Sequence, residues 1–132
     1  MKKTLEFIKK CGVFYIATMD EDQPRVRPFG AVMEWEGKIY ICTGKAKPVF
    51  QQIQKNPKIE ICCTSPDGTS WLRLSAEAVP DERREAKSAF LEASPNLRSR
   101  YSEDDDIFAV LYLKNATSTI ASFSAPAETE QF

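Results

Sequence analysis

The pattern of apolar and polar positions along the chain is typical of short β-strands joined by turns. Alternating or continuous runs rich in β-branched and aromatic residues predict strands, and clusters such as DEDQP and SPDG predict the turns between them. The strand-forming segments are residues 13–19, 25–35, 38–43, 58–64, 70–79, 107–113 and 116–124. We assemble them into about six strands, and we expect the tail from Ala125 to be loosely ordered.

Helical periodicity is confined to short connections between these strands. We expect Thr4 to cap a first helix that stops at Gly12, and Pro48 to occupy the first position of a second. Asp81 is predicted to cap a third helix, and Pro95 to open a further short one. Because the helices only link strands, the chain is predicted to be mainly β, with short α connections.

The predicted architecture is a six-stranded antiparallel β-barrel formed by a single domain, residues 1–132. The elements do not alternate as βαβα, and the chain has no GxGxxG segment, so a Rossmann domain is not expected. Internal repeats and low-complexity segments are absent.

Composition and charge narrow the class of protein. Apolar residues make up 42% of the chain and charged residues 28%, as in an ordinary globular domain. No apolar run reaches the roughly 18 residues that cross a bilayer, and Glu6 and Lys9 interrupt the N-terminus too early for a signal peptide. With a net charge of −1, we expect no nucleic-acid partner, no membrane partner and a cytoplasmic location.

The residues available for catalysis are few. The chain contains no histidine, which excludes Ser-His-Asp and Cys-His catalysis and removes the commonest metal ligand. Of the four cysteines, Cys62 and Cys63 are adjacent in a predicted strand and should point to opposite faces, as reduced, packed thiols rather than metal ligands. Any chemistry here is therefore expected to belong to a bound cofactor.

Basic residues gather around one predicted hairpin and the helix after it. Residues 1–60 carry 11 Lys and Arg against 7 Asp and Glu, so an anionic ligand is expected in this half. A strand-end hydroxyl and four cations precede the helix that begins at Pro48: Thr43, Arg25, Arg27, Lys45 and Lys47. Such groups at a helix N-terminus would bind phosphate. The alternative is a hairpin with exposed basic residues.

The order of four segments resembles the pyridoxamine 5′-phosphate oxidase-like family of FMN-binding split β-barrels. The segments are PRVRPF at 24–29, IYICTGKAK at 39–47, IQKNP at 53–57 and WLRLSAEA at 71–78. The resemblance covers roughly residues 5–124, almost the whole chain. No single segment is diagnostic, and the specificity comes from their order and spacing.

Carried over residue by residue, the resemblance implies a set of cofactor contacts. Arg27, Thr43 and Lys47 match positions that hold the FMN phosphate, with Lys45 and Arg25 as helpers. The residues that would lie along the ring and ribityl chain are Pro28, Phe29 and Cys42.

The resemblance also implies a homodimer with flavin at the interface. Trp71 and Arg73 match a strand that approaches the flavin from the second protomer. The alternative role for Trp71 is that of a core or interface aromatic residue without flavin contact. The alternative role for Arg73 is an ion pair with Glu77 or another acid.

Two departures from the family pattern bear on the reaction. The chain lacks the C-terminal segment, rich in Trp, Arg and His, with which the longer oxidases grip their substrate, so oxidation of pyridoxamine phosphate is not expected. The stronger likeness is to short members grouped with general stress proteins and 5-nitroimidazole reductases. Those reductases often use a histidine near the flavin, and this chain has none.

Three functional hypotheses follow. The first is an FMN-dependent oxidoreductase that passes electrons from a reduced nicotinamide to a small-molecule acceptor, with no catalytic residue assigned. The second is a module that stores, senses or carries flavin without turnover. The third is a split barrel that binds another ligand, such as haem or deazaflavin.

Overall fold

A computed structural model describes residues 1–132, with eight β-strands and three α-helices. In chain order the elements are α1 (Lys2–Cys11), β1 (Phe14–Asp20), β2 (Gln23–Phe29), β3 (Val32–Trp35), β4 (Lys38–Gly44), α2 (Pro48–Lys55), β5 (Lys58–Thr64), β6 (Ser70–Asp81), α3 (Arg84–Ala93), a 3₁₀ helix (Pro95–Ser99), β7 (Phe108–Ser122) and β8 (Glu128–Gln131). None of the helices is long and apolar enough to cross a membrane.

The strands form one antiparallel sheet in the order β2-β1-β5-β6-β7-β4-β3, and β8 pairs with β7 off this path. The two end strands, β2 and β3, follow each other in the chain through Gly30 and Ala31 but do not pair, so the sheet is not closed. The prediction of a mainly β, antiparallel fold with short helical connections is confirmed.

The structure has eight strands rather than six, and it differs from the predicted strands in three places. The long strand predicted at 25–35 is divided into β2 and β3 at Gly30. The turn predicted at Lys114-Asn115 is instead an irregularity within the single strand β7, where Asn115 has a φ of 53° and the pairing register shifts between Ser75 and Glu77 of β6. The tail is also ordered.

The tail forms β8, which pairs with β7 from Thr117↔Gln131 to Ile120↔Glu128. Glu130 accepts hydrogen bonds from the Thr4 backbone N–H at 2.8 Å and from the Thr4 hydroxyl at 2.6 Å. The expectation of a loosely ordered tail was therefore wrong, because a carboxylate in the tail binds the first turn of α1.

Both predicted helix caps were also wrong. Helix α1 begins two residues before Thr4, whose hydroxyl donates to Glu130 instead of accepting from its own helix. Asp81 ends β6, and α3 begins only at Arg84. The Asp81 carboxylate accepts from the Tyr40 hydroxyl at 2.8 Å and from the Arg83 guanidinium at 2.9 Å. Helix α2, by contrast, begins at Pro48 as predicted.

The apolar interior divides into two clusters. The larger lies inside the sheet, with α1 and α2 against it, and is centred on fully buried side chains such as Ile16, Ile39, Ile61, Leu72 and Leu74. The smaller packs α3 and the 3₁₀ helix on the outside of β4 and β7, around Tyr40, Phe90 and Phe108. Cys63 is buried and Cys62 exposed, which confirms that the two thiols point to opposite faces.

Candidate functional site

A cleft of about 320 Å³ lies where the open side of the sheet meets the start of α2 and the 3₁₀ helix. Six of the ten residues predicted as cofactor contacts line it: Arg27, Pro28, Phe29, Cys42, Thr43 and Lys47. Strand β2 supplies the first three and β4 the next two. Lys47 lies immediately before Pro48, at the N-terminus of α2.

Arg27 is the cation with the most defined orientation in this cleft. Its Nη1 donates to the Ile16 carbonyl at 3.2 Å and to the Thr18 hydroxyl at 2.7 Å, and its Nη2 donates to Gln52 Oε1 at 2.8 Å. Burial, and to a lesser extent the nearby charge of Arg25, lower the pKa of Arg27 from its usual value. The guanidinium is thus fixed at the wall of the cleft.

Two further cations line the cleft without an acidic partner. Lys47 has extended backbone at the N-terminus of α2, and Arg100 lies with its guanidinium carbon 5.7 Å from the centre of the Tyr101 ring. Both lie close enough to Cys42 for their charges to act on its thiol. Together with Arg27 and the Thr43 hydroxyl they make the cleft strongly suited to an anion.

Apolar and aromatic side chains line the same cleft as the cations. Phe29, Val49 and Leu97 line it, together with the ring of Tyr101, which packs on Phe108 at 4.8 Å between ring centres. Tyr101 approaches the backbone of β4 so closely that a Cβ on Gly44 would lie 3.1 Å from the tyrosine hydroxyl oxygen. Glycine at position 44 therefore leaves space for this wall of the cleft.

Cys42 provides the only thiol in the cleft. Burial raises its pKa to about 12, and the charges of Arg100 and Lys47 oppose that shift only in part. The thiol is neutral at physiological pH, so it acts as a small apolar surface rather than a nucleophile.

The other four predicted contacts do not line the cleft. Arg25 forms an ion pair with Asp20 at 3.2 Å. Lys45 forms one with Glu82 at 3.0 Å.

Trp71 and Arg73 lie on the outer face of the sheet, in a separate groove of about 300 Å³. Arg73 forms an ion pair with Glu60 at 3.0 Å. Within the chain, Arg73 therefore has the ion pair given as its alternative role, with Glu60 as the acid rather than Glu77. The contact of Trp71 and Arg73 with a ligand held by a partner stays a prediction.

Sequence reasoning missed the wall contributed by the segment after α3. Ser94, Asn96, Leu97, Arg100 and Tyr101 all line the cleft. These residues are about 50 positions from Thr43, and no motif connects the two segments. The only available signal was the short helix predicted at Pro95, which gave no reason to place it beside β4.

Comparison with known proteins identifies relatives over almost the whole length. Residues 1–120 match the family model described as pyridoxamine 5′-phosphate oxidase. The crystal structure of a NimC/NimA family protein from Clostridium acetobutylicum is 52% identical, with a TM-score of 0.97 over 100% of this chain and 92% of that one. A comparison with curated proteins found no match.

More distant structures share the fold and carry different ligands in their names. An FMN-binding protein from Nostoc punctiforme, related to pyridoxamine 5′-phosphate oxidase, is 12% identical, with a TM-score of 0.66 over 99% of this chain and 95% of that one. A haem-binding protein from Mycobacterium smegmatis is 15% identical, with a TM-score of 0.70 over 95% of this chain and 55% of that one. At these identities the likeness shows the fold alone. The match over residues 1–120 shows more, and the chain belongs to the pyridoxamine 5′-phosphate oxidase family.

Proposed function

We propose that this protein is a flavoprotein that binds FMN in the cleft between β2, β4, α2 and the 3₁₀ helix. The observation that carries the proposal is the convergence of Arg27, Lys47 and Arg100 with the Thr43 hydroxyl at the N-terminus of α2. Three cations and a helix N-terminus suit a phosphate dianion, because guanidinium and backbone N–H groups both donate to its oxygens.

The apolar part of the cleft suits a planar ring. Phe29, Leu97 and Tyr101 offer flat or branched apolar surfaces in the same cleft as the cations. Pro28 has no N–H, so polar contacts from this position use its carbonyl oxygen. The cleft therefore offers both cations and apolar surface to a phosphorylated flavin.

Haem is a weaker candidate for the same cleft. Proteins most often hold haem iron through a histidine, and this chain has none. The thiol of Cys42 is kept neutral by burial, with a pKa of about 12. Phosphate binding uses the unpaired cations of the cleft directly, so FMN fits better.

We further propose that the protein is an oxidoreductase that transfers electrons from a reduced nicotinamide to a small acceptor. FMN would supply the redox chemistry by accepting a hydride and releasing electrons. The chain would fix the phosphate with Arg27 and Lys47 and shield one face of the ring with Tyr101. Burial raises the pKa of the Cys42 thiol to about 12, away from neutrality, and we assign no general acid or base.

The proposed active form is a homodimer. A row of cross-strand partners crosses the outer face of the sheet: Pro28, Tyr15, Cys62, Arg73 and Thr119. Exposed apolar side chains lie on or beside this face, including Tyr15 at 49% exposed and Val26 at 68%. Phe123, 84% exposed, packs on Trp71 with ring centres 5.1 Å apart.

This face is continuous with the cleft, because Pro28 belongs to both. Arg73 lies three strands from Pro28, a separation of about 14 Å, too far to reach its own cleft. A second copy docked by two-fold symmetry would cover the open cleft and bring its Trp71 and Arg73 toward the ligand. The proposed second-protomer contacts therefore require the dimer.

The experiment is an absorbance spectrum of the purified protein, followed by anaerobic reduction. A flavin spectrum that NADPH or NADH bleaches, and that a nitroimidazole acceptor restores, supports the oxidoreductase. A flavin spectrum that neither nicotinamide bleaches supports the storage or sensing module instead. A Soret band, or failure to retain added FMN, contradicts the flavoprotein.

A further inference from the structure

Arg27 is held by two neutral oxygens that also contact each other. The Thr18 hydroxyl accepts from Arg27 Nη1 at 2.7 Å and donates to Gln52 Oε1 at 2.5 Å. The same Gln52 oxygen accepts from Arg27 Nη2 at 2.8 Å. The three side chains thus form a closed ring of hydrogen bonds between β1, β2 and α2.

The donor directions in this ring are determined by the chemistry of arginine. A guanidinium only donates, so the Gln52 amide must present its oxygen and the Thr18 hydroxyl must turn its hydrogen toward Gln52. Thr18 is 2% exposed, which keeps its hydroxyl away from competing water. The arrangement therefore has one consistent orientation.

A count of the Arg27 donors shows which edge remains for a ligand. Both hydrogens of Nη1 are used by the Ile16 carbonyl and the Thr18 hydroxyl, and one of Nη2 by Gln52. The Nε hydrogen and the second Nη2 hydrogen have no partner within the chain. These two donors can bind two oxygens of one phosphate together, as guanidinium groups often do.

The charge of Arg27 is also left unpaired, unlike that of other arginines on the sheet. Arg25 is paired with Asp20 and Arg73 with Glu60, whereas both side chains that hold Arg27 are neutral. Thr18 and Gln52 thus orient the guanidinium without offsetting its charge.

We infer that Gln52 is a positioning residue that makes the cleft selective for a phosphorylated flavin over an unphosphorylated one. This inference rests on the proposed function. Gln52 holds Arg27 with its Nε and Nη2 donors free and its full charge available to the phosphate. Gln52 is not among the residues that line the cleft, so we expect the binding of riboflavin, which lacks the phosphate, to be independent of this residue.

The test compares the dissociation constants of FMN and riboflavin, measured by flavin fluorescence, for the wild-type protein and for the Q52E variant. Glutamate has the same shape and keeps the hydrogen bond to Arg27, but its negative charge offsets that of Arg27. We expect the Q52E variant to bind FMN about tenfold or more weakly, a loss that corresponds to one charge-assisted hydrogen bond. Its affinity for riboflavin should be unchanged. A purely structural role would leave the FMN to riboflavin ratio as in the wild type.

Two further variants make the outcome decisive. Q52M removes the hydrogen-bond acceptor without adding charge, and T18V removes the hydroxyl. Both should also lower the ratio of FMN affinity to riboflavin affinity, so the inference can be tested even if Q52E fails to fold. Q54E places the same charge on an exposed part of α2 outside the cleft and should leave the ratio unchanged. An unchanged ratio in folded Q52E overturns the inference about Gln52 alone. A wild-type protein that binds FMN no better than riboflavin overturns the proposed phosphate site as well.

Discussion

Gly44 and Tyr101 are packed closely: a Cβ at position 44 would lie 3.1 Å from the Tyr101 hydroxyl oxygen, which would then have to shift slightly. This contact joins β4, which carries Thr43, to the segment that carries Arg100. The shape of the cleft therefore depends on a contact between elements far apart in the sequence.

We expect Gly44→Ala to weaken FMN binding more than it destabilises the fold. The methyl group would displace the flexible end of Tyr101, and with it one wall of the cleft, at a cost to stability of about 1 kcal/mol. Affinity is measured by fluorescence titration and stability by urea unfolding. The matched control is the double variant with Tyr101→Phe, which removes the displaced oxygen and should recover affinity. Failure of the second substitution to restore binding would show that the contact is not the cause.

The proposed phosphate site predicts the effect of removing its cations. Arg27→Ala and Lys47→Ala should each weaken FMN binding by roughly 1.5–3 kcal/mol, because each removes a charge-assisted hydrogen bond. Isothermal titration calorimetry measures the loss. Lys55→Ala serves as the control, since this lysine is 81% exposed at the end of α2. Unchanged affinity in the double variant of Arg27 and Lys47 would contradict the site.

The proposed dimer predicts a change of mass when a charge is placed on the outer face of the sheet. Val26→Lys should shift the protein toward monomer and weaken FMN retention, because an unpaired ammonium group would be buried between the protomers. Sedimentation velocity at micromolar concentration measures the change. Glu92→Lys, at an exposed position on α3, should leave the mass unaltered. A wild-type protein that sediments as a monomer with FMN bound would exclude the dimer.

Acid should destabilise the fold through Asp81. The hydrogen bond from Arg83 lowers the pKa of this carboxyl to about 2, against the effect of burial and with help from the Tyr40 hydroxyl. Since the folded-state pKa is below the unfolded value of about 3.9, the stabilisation is complete above that value and is lost as the pH falls toward 2.

The measurement is the free energy of unfolding between pH 2 and pH 6, from urea denaturation. Asp81→Asn should be less stable than wild type at pH 6 and should show a shallower decline on acidification. The exposed Asp106 offers a control, and its replacement by Asn should leave the slope intact. Equal slopes for wild type and Asp81→Asn would show that another group controls the acid transition.

Features set by local sequence were predictable. Strand β5 has the predicted bounds, and α2 begins at Pro48, because alternation and proline geometry act within a few residues. Strand β8 was not predictable, since its order depends on Glu130 binding Thr4 from 126 positions away.

The candidate site divides in the same way. Arg27, Thr43 and Lys47 line one cleft, because the short Gly30–Ala31 link carries the chain from β2 into the β3–β4 hairpin, and α2 follows directly. Arg25 and Lys45 belong to the same local pattern, but Asp20 and Glu82 pair with them, and the choice of partner depends on side-chain packing. Arg100 reaches the cleft only through the docking of α3 and the 3₁₀ helix.

The gap between β2 and β3 has a consequence for the loaded protein. The cleft is lined by β2, by the Gly30–Ala31 link and by β4, the strand that holds β3. A ligand bound there would contact both ends of the sheet and so stabilise β2 and β3 relative to each other. Backbone amides of β2 and β3 should then exchange with deuterium more slowly in the loaded protein than in the empty one, while those of β6 and β7 in the middle of the sheet change little.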